Sequence, residues 1–258
     1  MNARNAWDAQ AYEHVSKVQQ GWGIRLLRSR KWGGSETVMD AGCGPGTLTK
    51  VLAGVVARGK VYAVDKDAGM AGRAKTNLRG IGNVEVICAD MSRTGLPGAV
   101  DVVFSNAAIH WVMDHSTLFA HFKELLAEGG ELLLQFGGEG NLEHELQIAD
   151  RVMENEHFAP HFSDWKAPWN FSTRQETSDL LGRLGFRDIV SEISFESPVF
   201  STKREFEDFL RTVILRPYLQ GLQPDDKDRF VQEFLALYAK DRAKMTLDYV
   251  RLTVTAKK

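Results

Sequence analysis

Asp40, Asp65 and Asp90 recur every 25 residues, each closing a short apolar run, and the first opens a segment with glycines at alternate positions, Asp40-Ala-Gly42-Cys43-Gly44-Pro-Gly46. Glycines at these positions remove the Cβ atoms that would hold a ligand off the backbone, and they tolerate positive φ. A helix starting near Thr47 would add unpaired N–H groups and the positive end of its dipole. The segment therefore suits a polar ligand lying on a strand-to-helix turn.

Two cofactor classes compete for such a turn. A nicotinamide fingerprint has the form G-x-G-x-x-G, and Thr47 stands where its third glycine would fall, which counts against NAD. Three carboxylates at strand ends would cradle a pyrophosphate poorly. They suit a ligand that carries an ammonium, a sulfonium and ribose hydroxyls. Asp65 is placed to accept from the ribose hydroxyls, and Asp90 from an exocyclic adenine amine while Met91 covers the ring. Asp40 would meet the cationic end. S-adenosylmethionine has this set of groups, and S-adenosylhomocysteine is what it becomes after giving up its methyl.

Further candidates have two readings each. His110 would donate to a substrate, act as a base, or only shape the cofactor pocket. Trp111 beside it serves as pocket wall or core. Tyr12 and Gln19 would close over the methyl donor, or merely pack a helix onto the sheet. Arg216 would clamp a carboxylate through two parallel hydrogen bonds, or make a surface ion pair. Trp165, Trp169 and Phe171 form a lid or an anchor for their loop. His157 and His161 have metal-ligand spacing, but Pro160 lies between them and no partner carboxylate follows, so no metal is expected.

The elements that must carry these residues follow from periodicity. Residues 6–28 read as one or two amphipathic helices, ended by Gly33-Gly34. Strands are expected at 37–40, 60–65 and 84–90, with helices at 47–57 and 68–78. Such repeated strand–helix units imply a parallel, doubly wound sheet with its ligand across the carboxyl ends of the strands. A fourth strand (100–106), a helix (118–126) and a fifth strand behind a glycine turn (129–136) continue the pattern. After Gly140 it breaks into a helix (142–156), an aromatic loop (158–171), and a helix (174–184) stopped by Gly185. A strand (186–195), helices at 203–219 and 224–244, and a closing strand (247–256) complete the chain.

Its 258 residues hold one α/β core and an accessory element. Four parts are expected: a helical leader or cap over 1–34, a cofactor-binding core over 35–140, a cap helix and aromatic loop over 141–173, and the rest of the core over 174–258 with a helical insertion at 203–244. With 43% hydrophobic and 26% charged residues and a net charge of −2, the composition is that of a soluble protein with no basic field for nucleic acid or anionic lipid. Arg4, Asp8, Glu13, Lys17 and Arg25 interrupt the first 30 residues, which excludes an apolar secretory signal, and no run is long enough to span a bilayer. A cytoplasmic location is expected, with Cys43 and Cys88 as free, buried thiols. The oligomeric state is not legible.

Asp40-x-Gly42-x-Gly44-x-Gly46, Val64-Asp65, Ala89-Asp90-Met91 and Ser105-Asn106-Ala107 together resemble a class I S-adenosylmethionine-dependent methyltransferase over about residues 35–136. The resemblance implies a Rossmann-like, doubly wound α/β sheet of seven strands, the last antiparallel, with a helical cap. It assigns Asp65 to the ribose, Asp90 and Met91 to the adenine, and the Gly42–Gly46 backbone to the methionine end. Cys43, Lys66, Asn106, Gln19 and Tyr12 join Asp40 as cofactor-binding candidates. Ser105-Asn106-Ala107-Ala108 replaces the Asn/Asp-Pro-Pro-Tyr/Phe of nucleic-acid amino-methyltransferases, which argues against a base as substrate.

His110-Trp111-Val-Met-Asp-His115, Leu215-Arg216-Pro-Tyr218-Leu219 and the leader narrow the resemblance. They are similar to the group that esterifies trans-aconitate, juvenile hormone acid and malonyl carrier protein. In that group the insertion covers the carboxyl ends of the strands. The expected substrate is a small carboxylic acid, with His110 as catalytic candidate and His110, Trp111, Arg216 and Tyr218 as substrate-binding candidates. An O- or C-methyltransferase of a larger apolar metabolite (a quinone, isoprenoid or lipid) is the alternative enzyme. A cofactor-binding regulatory or scaffold protein is the alternative of another class.

Overall fold

Short runs of β-branched and apolar residues alternating with capped helices build a seven-stranded sheet in the order β3-β2-β1-β4-β5-β7-β6. The computed structural model describes residues 7–258. The first six residues of the expected 1–34 leader, Arg4 among them, lie outside the described residues. The strands are β1 (Thr37–Ala41), β2 (Lys60–Asp65), β3 (Val84–Cys88), β4 (Val100–Asn106), β5 (Leu126–Gly137), β6 (Arg187–Glu196) and β7 (Tyr249–Lys257). β1 to β5 pair in parallel, and β7 runs antiparallel between β5 and β6. The central strands are apolar on both faces because helices cover both: Val38, Met39, Val102, Val103 and Phe104 are fully buried.

The helices are α1 (Ala9–Val15), α2 (Lys17–Arg28), α3 (Thr47–Val55), α4 (Ala68–Asn77), α5 (His115–Leu125), α6 (Glu143–Met153), α7 (Arg174–Arg183), α8 (Lys203–Phe209), α9 (Arg216–Leu219) and α10 (Pro224–Asp241). Side-chain caps set several of their starts. Asp67 accepts from Met70 N–H for α4, and Asp114 from Thr117 N–H for α5. With this cap α5 starts at His115, three residues before the expected Leu118. Thr173 and Glu176 form a reciprocal capping box on α7.

Apolar clusters fill each face of the sheet. A further cluster binds α2, α6, the 158–169 loop and α8–α10 into one aromatic cap, with Phe158, Phe206, Phe209, Tyr218, Phe230 and Phe234 fully buried in it.

Four local expectations need correcting. The expected helix 203–219 is three pieces, because Pro217 has no N–H to continue the ladder: a π-turn at Leu210–Ile214 separates α8 from α9. β3 ends at Cys88, so Asp90 lies in the loop beyond it, and Cys88 is an exposed free thiol rather than a buried one. Gly129 and Gly130 fall inside β5, at a register shift against β4, instead of preceding it.

Candidate active site

The glycine turn between β1 and α3 is shaped by contacts that no side chain would permit. Gly42 has φ +79°, and a Cβ there would come within 2.2 Å of the Ala108 Cβ. Gly44 has φ +55° and open space where its Cβ would be, so the turn presents bare backbone to the cleft.

Asp65, closing β2, accepts from Gly44 N–H at 2.8 Å and from Asp67 N–H at 2.9 Å, which fixes the turn against the second strand. Asp40 is buried and accepts from the Thr49 hydroxyl at 2.6 Å. Burial pushes its carboxyl up to about 7. Met91 is buried with its methyl near Gly42, while Asp90 is half-exposed beside Arg93 and accepts from Ser92 N–H. Lys66 follows Asp65 at the strand end.

The cleft over this turn is lined by Asp40, Gly42, Cys43, Gly44, Thr47 and Asn106, and closed from above by Tyr12, Ser16 and Gln19 of the leader. Three buried oxygens around it have no hydrogen-bond partner: Thr47 Oγ1, Asn106 Oδ1 and Gln19 Oε1. Orphaned buried polar atoms await a ligand or water. Two acceptors, a hydroxyl, a bare glycine backbone and buried carboxylates match a ligand with an ammonium, a carboxylate and ribose hydroxyls. The residues present therefore fit S-adenosylmethionine.

A second cavity adjoins the first and shares Tyr12 and Gln19 as walls. His110, Trp111, Trp169, Phe171, Tyr249 and Arg251 line it, with Trp7, Trp22, Leu142, Leu146, Val213 and Ile214 supplying apolar surface. Ala107, also in its wall, holds an uncommon φ of +59° at the end of β4. His110 is buried, and its Nδ1 accepts from Gly137 N–H at 3.3 Å. Burial, with Arg251 and His115 nearby, holds it well below the usual imidazole range.

The leader is strapped down at both ends of α1. Trp7 N–H donates to Asp67 at 2.9 Å, and Glu13 pairs with Arg73 at 2.7 Å. Tyr12 is thereby held between the two cavities.

Two substrate-binding candidates are not brought to either cavity. Tyr218 has no exposed surface. It stacks on Trp165 at 4.8 Å and on Phe230 at 5.8 Å, so its ring is cap core. The Arg216 guanidinium lies 4.0 Å over the Trp7 ring, which is itself edge-on to Trp111. The aromatic loop divides between its two readings: Trp165 anchors it to the cap, whereas Trp169 and Phe171 face the inner cavity. His157 is held by Asp226 at 2.7 Å, and the described residues include no group of three metal-ligating side chains.

Sequence reasoning missed Trp7, Trp22, Tyr249 and above all Arg251. No sequence signal marks the last: Leu252, Val254 and Ala256 alternate with Arg251, Thr253 and Thr255, so Arg251 falls in the polar phase of the closing strand and only its burial singles it out.

Residues 39–134 match a sequence family described as a methyltransferase domain. A trans-aconitate 2-methyltransferase from Klebsiella pneumoniae is 28% identical over 228 residues, covering 86% of each chain. The YcgJ protein of Bacillus subtilis shares the fold with a TM-score of 0.65 at 14% identity, over 93% of this chain and 98% of its own. Phosphoethanolamine N-methyltransferase 2 of Haemonchus contortus, solved with phosphomonomethylethanolamine and S-adenosylhomocysteine, aligns with a TM-score of 0.61 at 19% identity, over 97% of this chain and 56% of its own. Together these findings support a class I S-adenosylmethionine-dependent methyltransferase.

In this methyltransferase, cofactor affinity should depend on pH through Asp40. The free enzyme holds that carboxyl protonated below about 7, whereas a cationic ligand favours the ionised form. Binding then releases a proton. From pH 8 to pH 6 the affinity for S-adenosylmethionine should fall about tenfold, with proton release measurable by calorimetry in buffers of different ionisation enthalpy. Asp40→Asn should abolish both effects, and an affinity independent of pH in the native enzyme would contradict this role. No helix among the described residues is long and apolar enough to cross a membrane.

Proposed function

We propose that the enzyme transfers a methyl group to a carboxylate oxygen of a small acid, forming a methyl ester. The observation that carries this reading is the absence of a base among the described titratable groups of the inner cavity. Burial, then the nearby Asp65 charge, pushes the Tyr12 phenol up to about 12. Burial also raises Tyr249 far above the usual phenol range. His110 is neutral, and its Nδ1 already accepts from Gly137, so the proton sits on Nε2 and that nitrogen donates rather than abstracts. Arg251 is a cation.

A nucleophile entering this cavity must therefore arrive ionised. A carboxylate does so at pH 7, and a phenol or alcohol does not. The residues then contribute proximity and orientation. His110 donates through Nε2 to the acid, while Trp111, Trp169 and Phe171 exclude water.

S-adenosylmethionine, when bound, supplies a methyl on a sulfonium. The residues that would hold it are the Gly42–Gly46 backbone with Cys43 and Asp40, Asp65 and Lys66 at the ribose, Asp90 and Met91 at the adenine, and Asn106, Gln19 and Tyr12 at the amino-acid end. Relatives named as trans-aconitate 2-methyltransferases support an acid as acceptor.

The aromatic lining favours a second reading, O- or C-methylation of a larger apolar metabolite. The two separate on pH. At saturating methyl donor, turnover of a carboxylate should be flat between pH 7 and 9. A rise approaching tenfold per pH unit would mark a nucleophile that must first lose a proton, and would overturn the carboxylate reading.

A further inference from the structure

Arg251 is the most buried charge in the inner cavity, at 2% exposure. It pairs in the sheet with Gly137 of β5 and Ser194 of β6, which puts it at the same edge as the carboxyl ends of the parallel strands. One guanidinium nitrogen reaches the Gln135 carbonyl at 3.4 Å, and the group lies 4.7 Å over the Trp22 ring. Its Nε, fully buried, has no partner. Among the described residues no carboxylate forms an ion pair with it; Glu196, whose charge it feels, pairs with Arg25 instead.

A guanidinium has five N–H donors in a rigid fork. Leaving such a charge buried with one long hydrogen bond and one ring contact is costly unless an anion completes it. The side chain faces the cavity, so the anion has a place to come from.

We propose that Arg251 receives the carboxylate of the substrate, and that the cavity around it accepts an acid with a single carboxylate on an apolar body. This rests on the carboxylate reading above and deepens it. The other polar groups in the lining, among them Gln19, His110 and Asn141, are neutral, and the rest is indole, phenyl and branched aliphatic surface. A tricarboxylate would find one cation and leave two charges desolvated. Arg216 does not supply the second, because its guanidinium lies over Trp7 and outside the lining.

The test uses the full chain loaded with S-adenosylhomocysteine, with tryptophan fluorescence reporting on Trp22, Trp111 and Trp169. Benzoate, phenylacetate and octanoate are titrated against their neutral amides and against trans-aconitate. At least one monocarboxylate should bind about tenfold tighter than both its amide and trans-aconitate. Arg251→Met should erase the preference for acid over amide, and Arg251→Lys should retain part of it.

S-adenosylhomocysteine affinity, measured by calorimetry, should stay within about twofold in both variants. Trans-aconitate binding best, amides binding as well as acids, or no monocarboxylate binding would each overturn the proposal on the native protein alone, whatever the variants' folding. A tenfold loss of S-adenosylhomocysteine affinity in Arg251→Met would assign the guanidinium to the cofactor's carboxylate and overturn it too. Methyl esterification of a tricarboxylate would leave the proposed function standing and sink only this inference, whereas an ether or C-methyl product would sink the function first.

Discussion

Tyr218→Ala should destabilise the enzyme by about 3 to 5 kcal/mol, the usual cost of removing a fully buried aromatic ring. The ring has no exposed surface and sits between Trp165 and Phe230. Its loss opens a cavity where α9, α10 and the aromatic loop meet. For a chain of this size the melting temperature should fall on the order of 10 °C. Burial and the facing Asp150 carboxylate raise the phenol far above its usual range, so it stays neutral. Tyr218→Phe, which keeps the ring, should cost much less. Calorimetric melting of both variants checks this. An alanine variant that melts like the native protein but needs far more acid substrate would restore Tyr218 to the substrate site.

Asp65→Ala should weaken S-adenosylhomocysteine binding by about tenfold or more, from charge-assisted hydrogen bonds of roughly 1.5 to 3 kcal/mol. The carboxylate has two tasks. It holds the glycine turn through Gly44 N–H and the start of α4 through Asp67 N–H, and its remaining lone pairs are the expected acceptors for the ribose hydroxyls. Asp65→Asn should fall between the native protein and alanine, since the amide oxygen can still accept one of those bonds. Titration calorimetry with unchanged affinity for the alanine variant would remove Asp65 from the site.

The sequence made the turn under the candidate cofactor cleft legible because its geometry is carried by local order. A strand, a glycine turn and a helix start lie within about ten residues, so Asp40, Gly42 and Gly44 announce their own geometry. Asp65 could be read from the equal spacing of the βα units. The sheet was legible for the same reason, since runs of buried residues on both faces have few other folds open to them.

The acceptor half was not. Tyr12, His110, Trp169, Ile214 and Arg251 come from five separate elements, and nothing local fixes which side chains of an aromatic-rich cap point inwards. Arg216, with Tyr218 beside it, looked like a clamp because a guanidinium fork suits a carboxylate and the resemblance places the insertion over the strand ends. Yet Pro217 breaks the helix so that Tyr218 turns into the cap and Arg216 towards Trp7. Arg251 was hidden by an ordinary-looking closing strand, where only burial shows that its charge cannot reach water.

Identification of the methylated product tests the account most directly. Purified enzyme, S-adenosylmethionine and a panel of small mono- and polycarboxylic acids are incubated at pH 7.5, and each product is weighed by mass spectrometry and then treated with mild alkali. The account predicts one added methyl group on an acid, equimolar S-adenosylhomocysteine, and return of the original acid on hydrolysis, as a methyl ester requires. A methylated product that survives alkali, as an ether or a C-methyl compound would, contradicts it.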